Sequence, residues 1–172
     1  MLTLSLLRHA KSSWDDPRLD DHERPLTKRG IKDAPRIATW LADHDLRPDL
    51  VLCSSAMRTR ATLALLLSAW AEPPPDSRVE DALYLADPAR LLAVVHTASP
   101  GARQVLVIAH NPGLHALALE LTGGGQRKAV AGLAAGFPTS ALAVLTFEAK
   151  DWSEVHRGAG RLEHFVTPRG LA

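Results

Sequence analysis

The run Val105-Leu106-Val107-Ile108 restricts this chain more than any other segment, because four aliphatic side chains follow one another without a polar break. A strand wetted on one face alternates polar and apolar residues, whereas an unbroken run needs cover on both faces. Gln104 to Ala109 is therefore expected as a central strand between two helical layers. Leu2 to Leu7 reads as a second buried strand and Asp49 to Cys53 as a third. Arg78 to Glu80 reads as a short one, with Thr139 to Phe147, Trp152 to His156 and Leu162 to Val166 further on.

Helical patterns fall between these runs. Thr27 is placed to cap a helix reaching about His44, with Ile31, Ile37, Trp40 and Leu41 as its apolar face. Pro35 should bend that helix or mark its true first turn. Ser54 or Ser55 is expected to cap a helix from about Ala56 to Ala71, with Leu63, Leu66, Leu67 and Trp70 inward. Asp87-Pro88 opens a helix to about Thr97, and Pro112 opens another that Gly123-Gly124-Gly125 ends. Strands alternating with helices imply an α/β fold, a three-layer sandwich whose mostly parallel central sheet is flanked by helices. A chain of 172 residues fits one domain spanning 1–172.

Charge and cysteine usage narrow the partners. Twenty Lys and Arg against 19 Asp and Glu give a formal net charge of +1, so no electrostatic reason exists to expect a nucleic-acid or membrane partner. Cys53 is the single cysteine, which excludes an internal disulfide and agrees with a reducing compartment. Leu2 to Leu7 is too short for a signal-peptide core or a bilayer span. A cytoplasmic location is the expectation. The oligomeric state is left open.

In sheets of this kind ligands bind beyond the carboxyl ends of the strands. Arg8-His9 and His110 each directly follow an expected strand, and Arg58 stands near the start of the helix after another. All four fall on one sheet edge. Taken singly, Arg8-His9 is a common dipeptide, Arg58 an ordinary helix-surface residue and His110 a buried, hydrogen-bonded histidine. Together they suit phosphoryl transfer. A neutral imidazole can attack phosphorus and form a covalent intermediate. Guanidinium groups match phosphate oxygens in pairs and disfavour protonation of a neighbouring imidazole. Backbone N–H groups opening the helices after Ser55 and Asn111 would add anion binding. The histidines and the one cysteine show no metal-ligand spacing, so neither a metal nor a cofactor is expected.

These residues sit in recognisable motifs. Leu7-Arg8-His9-Ala10-Lys11-Ser12-Ser13-Trp14 resembles the opening motif of the histidine phosphatase superfamily, whose usual form is Arg-His-Gly. Arg24-Pro25-Leu26-Thr27-Lys28-Arg29-Gly30 resembles its Pro-Leu-Thr-x-x-Gly stretch. The segment Ser54 to Thr62, with Arg58 before an Ala-x-Thr helix start, and Ile108-Ala109-His110-Asn111-Pro112 resemble two later motifs. Small size and Ala10 are most similar to the SixA-type phosphohistidine phosphatases.

The resemblance implies a phosphoglycerate mutase-like fold and a metal-independent phosphatase acting on phosphohistidine in a protein through a phosphorylated enzyme intermediate. His9 would be the nucleophile, with Arg8, Arg58 and His110 binding and polarising the phosphoryl group. Arg24, Ser12 and Asn111 would add substrate contacts, whereas the carboxylate of Asp15 would repel a phosphate. Larger relatives carry an acid after the third strand, where Glu80 stands as a possible general acid in a poorly matching context. Alkoxide leaving groups need such an acid, whereas a phosphoramidate nitrogen is readily protonated, so a weak acid suits phosphohistidine. A general small-molecule phosphomonoesterase and a non-catalytic phosphoprotein-binding module are the competing readings.

Overall fold

The computed structural model describes residues 1–171. Their strands are β1 (Leu2–Arg8), β2 (Leu50–Ser54), β3 (Asp76–Glu80), β4 (Gln104–Ala109), β5 (Thr122–Gly125), β6 (Leu142–Phe147) and β7 (Gly160–Val166). Their helices are α1 (Lys28–Asp43), α2 (Met57–Ala69), α3 (Pro88–Val95), α4 (Gly113–Leu121) and α5 (Arg127–Ala135). The strands form one sheet in the order β3-β2-β4-β1-β6-β7-β5. Neighbours pair parallel except on the two sides of β6, which runs against both β1 and β7.

The central strands are covered on both faces, as the unbroken run in β4 requires. Val105, Val107 and Ala109 point to one core, with Leu2, Leu4 and Leu6 of β1 and the inner faces of α3 and α4. Leu106 and Ile108 point to the other, with Leu7, Val51, Cys53 and the inner faces of α1 and α2. Alternate side chains of one strand thus feed two cores, which is the three-layer α/β sandwich.

Helix starts and strand assignments depart from the sequence expectations at several points. Thr27 caps α1 as expected, its Oγ1 accepting from the Gly30 amide at 3.1 Å. Pro35 lies inside α1, eight residues into the helix, and does not mark its first turn. Ile31 is 51% exposed and leaves the buried face to Ala34, Ile37, Ala38 and Leu41. Neither Ser54 nor Ser55 caps α2, whose N-cap is Ala56 with no side-chain cap. Both hydroxyls face histidines instead. Gly123 to Gly125 does end α4 but continues as the edge strand β5, and Gly123 has no room for a side chain against the Gly158 carbonyl. Trp152–Glu154 forms a 3-10 turn, not a strand. Helix α5 escaped the pattern because only Ala129 and Leu133 of it are buried, too thin an apolar stripe to read.

Candidate active site

Register brings the candidate residues together. Arg8 pairs with Ala109 across β1 and β4, and Cys53 pairs with Ile108 across β2 and β4. The backbone N–H of His9 donates to the Ala109 carbonyl at 3.2 Å, so His9 and His110 occupy the next rung beyond the ladder. Their ring centroids lie 5.3 Å apart. Arg58, in the first turn of α2, projects to the same place and is 2% exposed. A cavity of about 250 Å³ is lined by Arg8, His9, Arg24, Arg58 and His110, with Ser12 and Asn111 also on its wall.

The motif residues that make no direct claim on chemistry hold the backbone behind His9. The amide of Ala10 donates to Thr62 Oγ1 at 3.0 Å, which ties the turn to α2. The amide of Thr27 donates to the Lys11 carbonyl at 2.9 Å, and Thr27 Oγ1 donates to it as well. A Cβ on Gly30 would stand 2.3 Å from that same carbonyl. The glycine is needed because α1 starts directly against the loop.

Hydrogen bonding fixes the state of His9. Its Nδ1 lies 2.7 Å from the Ala10 carbonyl, an acceptor only, so Nδ1 carries the proton and Nε2 keeps its lone pair. Burial, opposed by that hydrogen bond and reinforced by the positive charges of Arg58, Arg8 and Arg24, lowers the His9 pKa to about 4. Burial, then His9 and Arg58, lowers His110 to about 3. Both rings are neutral at ordinary pH. His110 Nε2 lies 2.7 Å from Ser54 Oγ, and its buried Nδ1 finds no partner among the described residues.

The guanidinium groups are braced. Arg8 Nη1 donates to the Phe137 carbonyl at 3.1 Å. Arg24 Nη1 donates to Ser12 Oγ at 3.1 Å, and its guanidinium stacks 3.4 Å from the centroid of the exposed Trp14 ring. The Nε atoms of Arg8 and Arg58 are buried and find no partner among the described residues. Such orphaned donors in a cation-lined cavity are groups an anion can satisfy.

Asp21 is the residue that sequence reasoning missed. Its backbone and side chain take both Nη atoms of Arg58, at 2.8 and 3.0 Å, and its carboxylate also accepts from Arg24 Nε at 3.1 Å. Tyr84 O–H donates to the same carboxylate at 2.5 Å. Burial opposes ionisation of Asp21, but the hydrogen bonds from Tyr84 and Arg58 outweigh it and hold the pKa at about 2. The loop bearing Asp21 gave no periodic signal. Tyr84 was reachable, because it follows β3 at the same sheet edge.

Other candidates stand differently. Glu80 is the last residue of β3, yet its carboxylate is held by Arg78 Nη2 at 2.6 Å and lies outside the cavity lining. A strand-end ion pair with a flanking cation has captured it, so it is not placed as an acid. Asn111 spends its carboxamide on structure, donating to the Phe137 carbonyl at 2.8 Å and accepting from the His115 amide at 3.3 Å. At the α2 start after Ser55 the side chain of Arg58 lines the cavity, whereas Ser55, Ala56 and Met57 do not, and Asp15 is exposed outside it.

Comparisons agree with this architecture. The family model of the histidine phosphatase superfamily (branch 1) matches residues 4–83. An uncharacterized protein of Mycobacterium tuberculosis is 37% identical over 165 residues, which are 95% of this chain and all of that protein. A solved structure from Agrobacterium tumefaciens, provisionally described as the phosphohistidine phosphatase SixA, matches at TM-score 0.81 and 32% identity, covering 97% of this chain and 98% of that one. The protein histidine phosphatase SixA complexed with tungstate matches at TM-score 0.74 and 26% identity, over 99% and 100% of the two chains. No helix among the described residues is long and apolar enough to cross a membrane. A phosphoglycerate mutase-like sheet that ends in Arg8, His9 and His110, matched over nearly its whole length by SixA structures, makes this chain a SixA-type member of the histidine phosphatase superfamily.

Proposed function

We propose that this chain hydrolyses phosphohistidine in a protein substrate, carrying the phosphoryl group on His9 Nε2 between two displacements. The observation that carries the reading is the unprotonated Nε2 of His9, set by the Nδ1 contact to Ala10, inside a cavity walled by guanidinium groups. In the first step Nε2 attacks phosphorus, its lone pair forms the new P–N bond, and the P–N bond to the substrate imidazole breaks. The His9 ring becomes cationic as it is phosphorylated, and the Ala10 carbonyl already receives its Nδ1–H. The substrate ring enters protonated on its other nitrogen and leaves as neutral imidazole, taking the electron pair of the broken bond. In the second step water attacks the phosphorus of phospho-His9, and the Nε2–P electron pair returns to His9. The proton released from water passes to solvent or phosphate.

Arg8, Arg24 and Arg58 balance the charge on the equatorial oxygens, so the positive charge the reaction needs is already present in the chain. A phosphoryl group moving between two imidazoles needs no strong acid, which accords with Glu80 being engaged by Arg78. A cavity of about 250 Å³ admits a phosphoryl group and one ring, below the range of pockets that enclose whole ligands. The tungstate complex of a related SixA adds that a relative takes up a tetrahedral oxyanion.

The test is rapid quenching with labelled phosphoramidate. An acid-labile, base-stable phosphoryl group on His9, absent from His9→Ala, is expected. Undiminished hydrolysis by His9→Ala sinks the mechanism, and equal turnover of phosphoserine and phosphohistidine peptides sinks the substrate assignment.

A further inference from the structure

A second and larger concavity, of about 1270 Å³, lies beside the phosphoryl cavity between α1, α5, β7 and the turn at Arg169–Leu171. Its half-buried apolar lining includes Trp40 and Phe165. Around them stand four cations, Arg29, Arg36, Lys128 and Arg169, against two carboxylates, Asp33 and Glu163. The groove therefore carries more net positive charge than the entire chain, whose formal net charge is +1. Asp33 is shared by two of those cations, Arg29 at 3.5 Å and Arg36 at 3.4 Å. Glu163 is paired with Arg161, which lies outside the groove.

The groove adjoins the phosphoryl cavity. Thr139 lines both concavities. The loop that carries Thr139 also supplies the Phe137 carbonyl, which receives Arg8 Nη1 and Asn111 Nδ2. A chain lying along the groove would thus pass over the segment that braces Arg8. The small cavity admits the phosphorylated side chain only, so the polypeptide bearing it has to lie on the adjoining surface.

We propose that this groove docks the acidic polypeptide segment flanking the phosphohistidine of the substrate, its carboxylates meeting Arg29, Lys128 and Arg169 and its apolar side chains resting on Trp40 and Phe165. The inference rests on the phosphohistidine reading and names how a protein substrate is told apart from a small one. Opposite charge at an exposed surface acts on association and on choice of partner more than on the chemical step. The discrimination should therefore appear in KM and fade as salt rises.

Three probes test it: N-acetyl-phosphohistidine, a phosphohistidine peptide flanked on both sides by Glu and Asp, and the same peptide with Gln in their place. The native chain is expected to show a KM about tenfold lower for the acidic peptide than for the Gln peptide. A triple variant, Arg29→Glu, Lys128→Glu and Arg169→Glu, should remove that preference and leave kcat and KM for N-acetyl-phosphohistidine unchanged, which also reports an intact fold. Turnover of all three probes with no flank preference in the native chain overturns the docking proposal alone. Equal loss on all three probes in the triple variant overturns it as well. No turnover of any phosphohistidine compound by the native chain overturns the functional reading and the docking with it. A native dimer that the triple variant dissociates would give the groove to a second copy and overturn the proposal.

Discussion

Acidification is the perturbation that most directly tests the electrostatics of the cavity. His9 and His110 have pKa values of about 4 and about 3 in the folded chain, against 6.5 for an unburied ring. Below pH 6.5 the unfolded chain takes up protons that the folded chain refuses, so stability falls with falling pH and levels off only below the folded values. One proton difference is worth about 1.4 kcal/mol per pH unit. Each imidazole should therefore cost about 2 kcal/mol of stability between pH 7 and pH 5. Other groups titrate over the same range, so the measurement is a difference. Urea unfolding of the native chain and of His9→Gln at both pH values should show the variant losing about 2 kcal/mol less. NMR titration of the ring protons supplies the direct reading. At pH 5 about nine tenths of His9 should still be neutral, so phosphoenzyme formation persists there and fails as the pH drops through 4. A His9 ring titrating above pH 6, or identical pH dependence of unfolding in native and variant, would refute the reasoning.

Three further outcomes follow from named contacts. Asp21→Asn removes the carboxylate shared by Arg58, Arg24 and Tyr84, so inhibition by orthophosphate should strengthen while kcat falls about tenfold or more. The pKa of Tyr84, raised by burial and by its hydrogen bond to Asp21, should move down in the same variant. Tyr84 is the sole tyrosine, so tyrosinate absorbance reads it without interference. Glu80→Gln should leave phosphohistidine turnover within about twofold of native, because substitutions away from a site's chemistry have small effects. Gly30→Ala forces a Cβ to 2.3 Å from the Lys11 carbonyl, and should cost about 1–3 kcal/mol in denaturant unfolding and slow formation of phospho-His9.

The gathering of much of the candidate site could be read in advance because its members follow strands. A residue one or two steps past a buried apolar run sits at the sheet edge whatever the loops do, and Arg8, His9 and His110 all have such positions. Arg58 is similar, since the first turn of a helix that leaves a strand starts at the same edge. Contacts made by loops were not readable in this way. Nothing local to Asp21 announces that its carboxylate will meet Arg58 and Tyr84, 37 and 63 residues away. Glu80 is the opposite case. It stands at the expected edge, but an arginine two residues back along β3 holds its side chain away from the cavity.

The sequence by itself determined the layers and the sheet edge at which the candidate residues gather. Hydrophobic periodicity is a property of neighbours along the chain, and an apolar run without alternation has only one stable environment, a strand buried on both faces. Tertiary structure alone decided how charge is distributed around that edge. Which proton His9 keeps, how Asp21 shares itself among two guanidiniums and a phenol, and where a basic groove meets the cavity all depend on distances between residues remote in sequence. Electrostatic energy depends on separation in space and on burial, neither of which is encoded in any short stretch of residues.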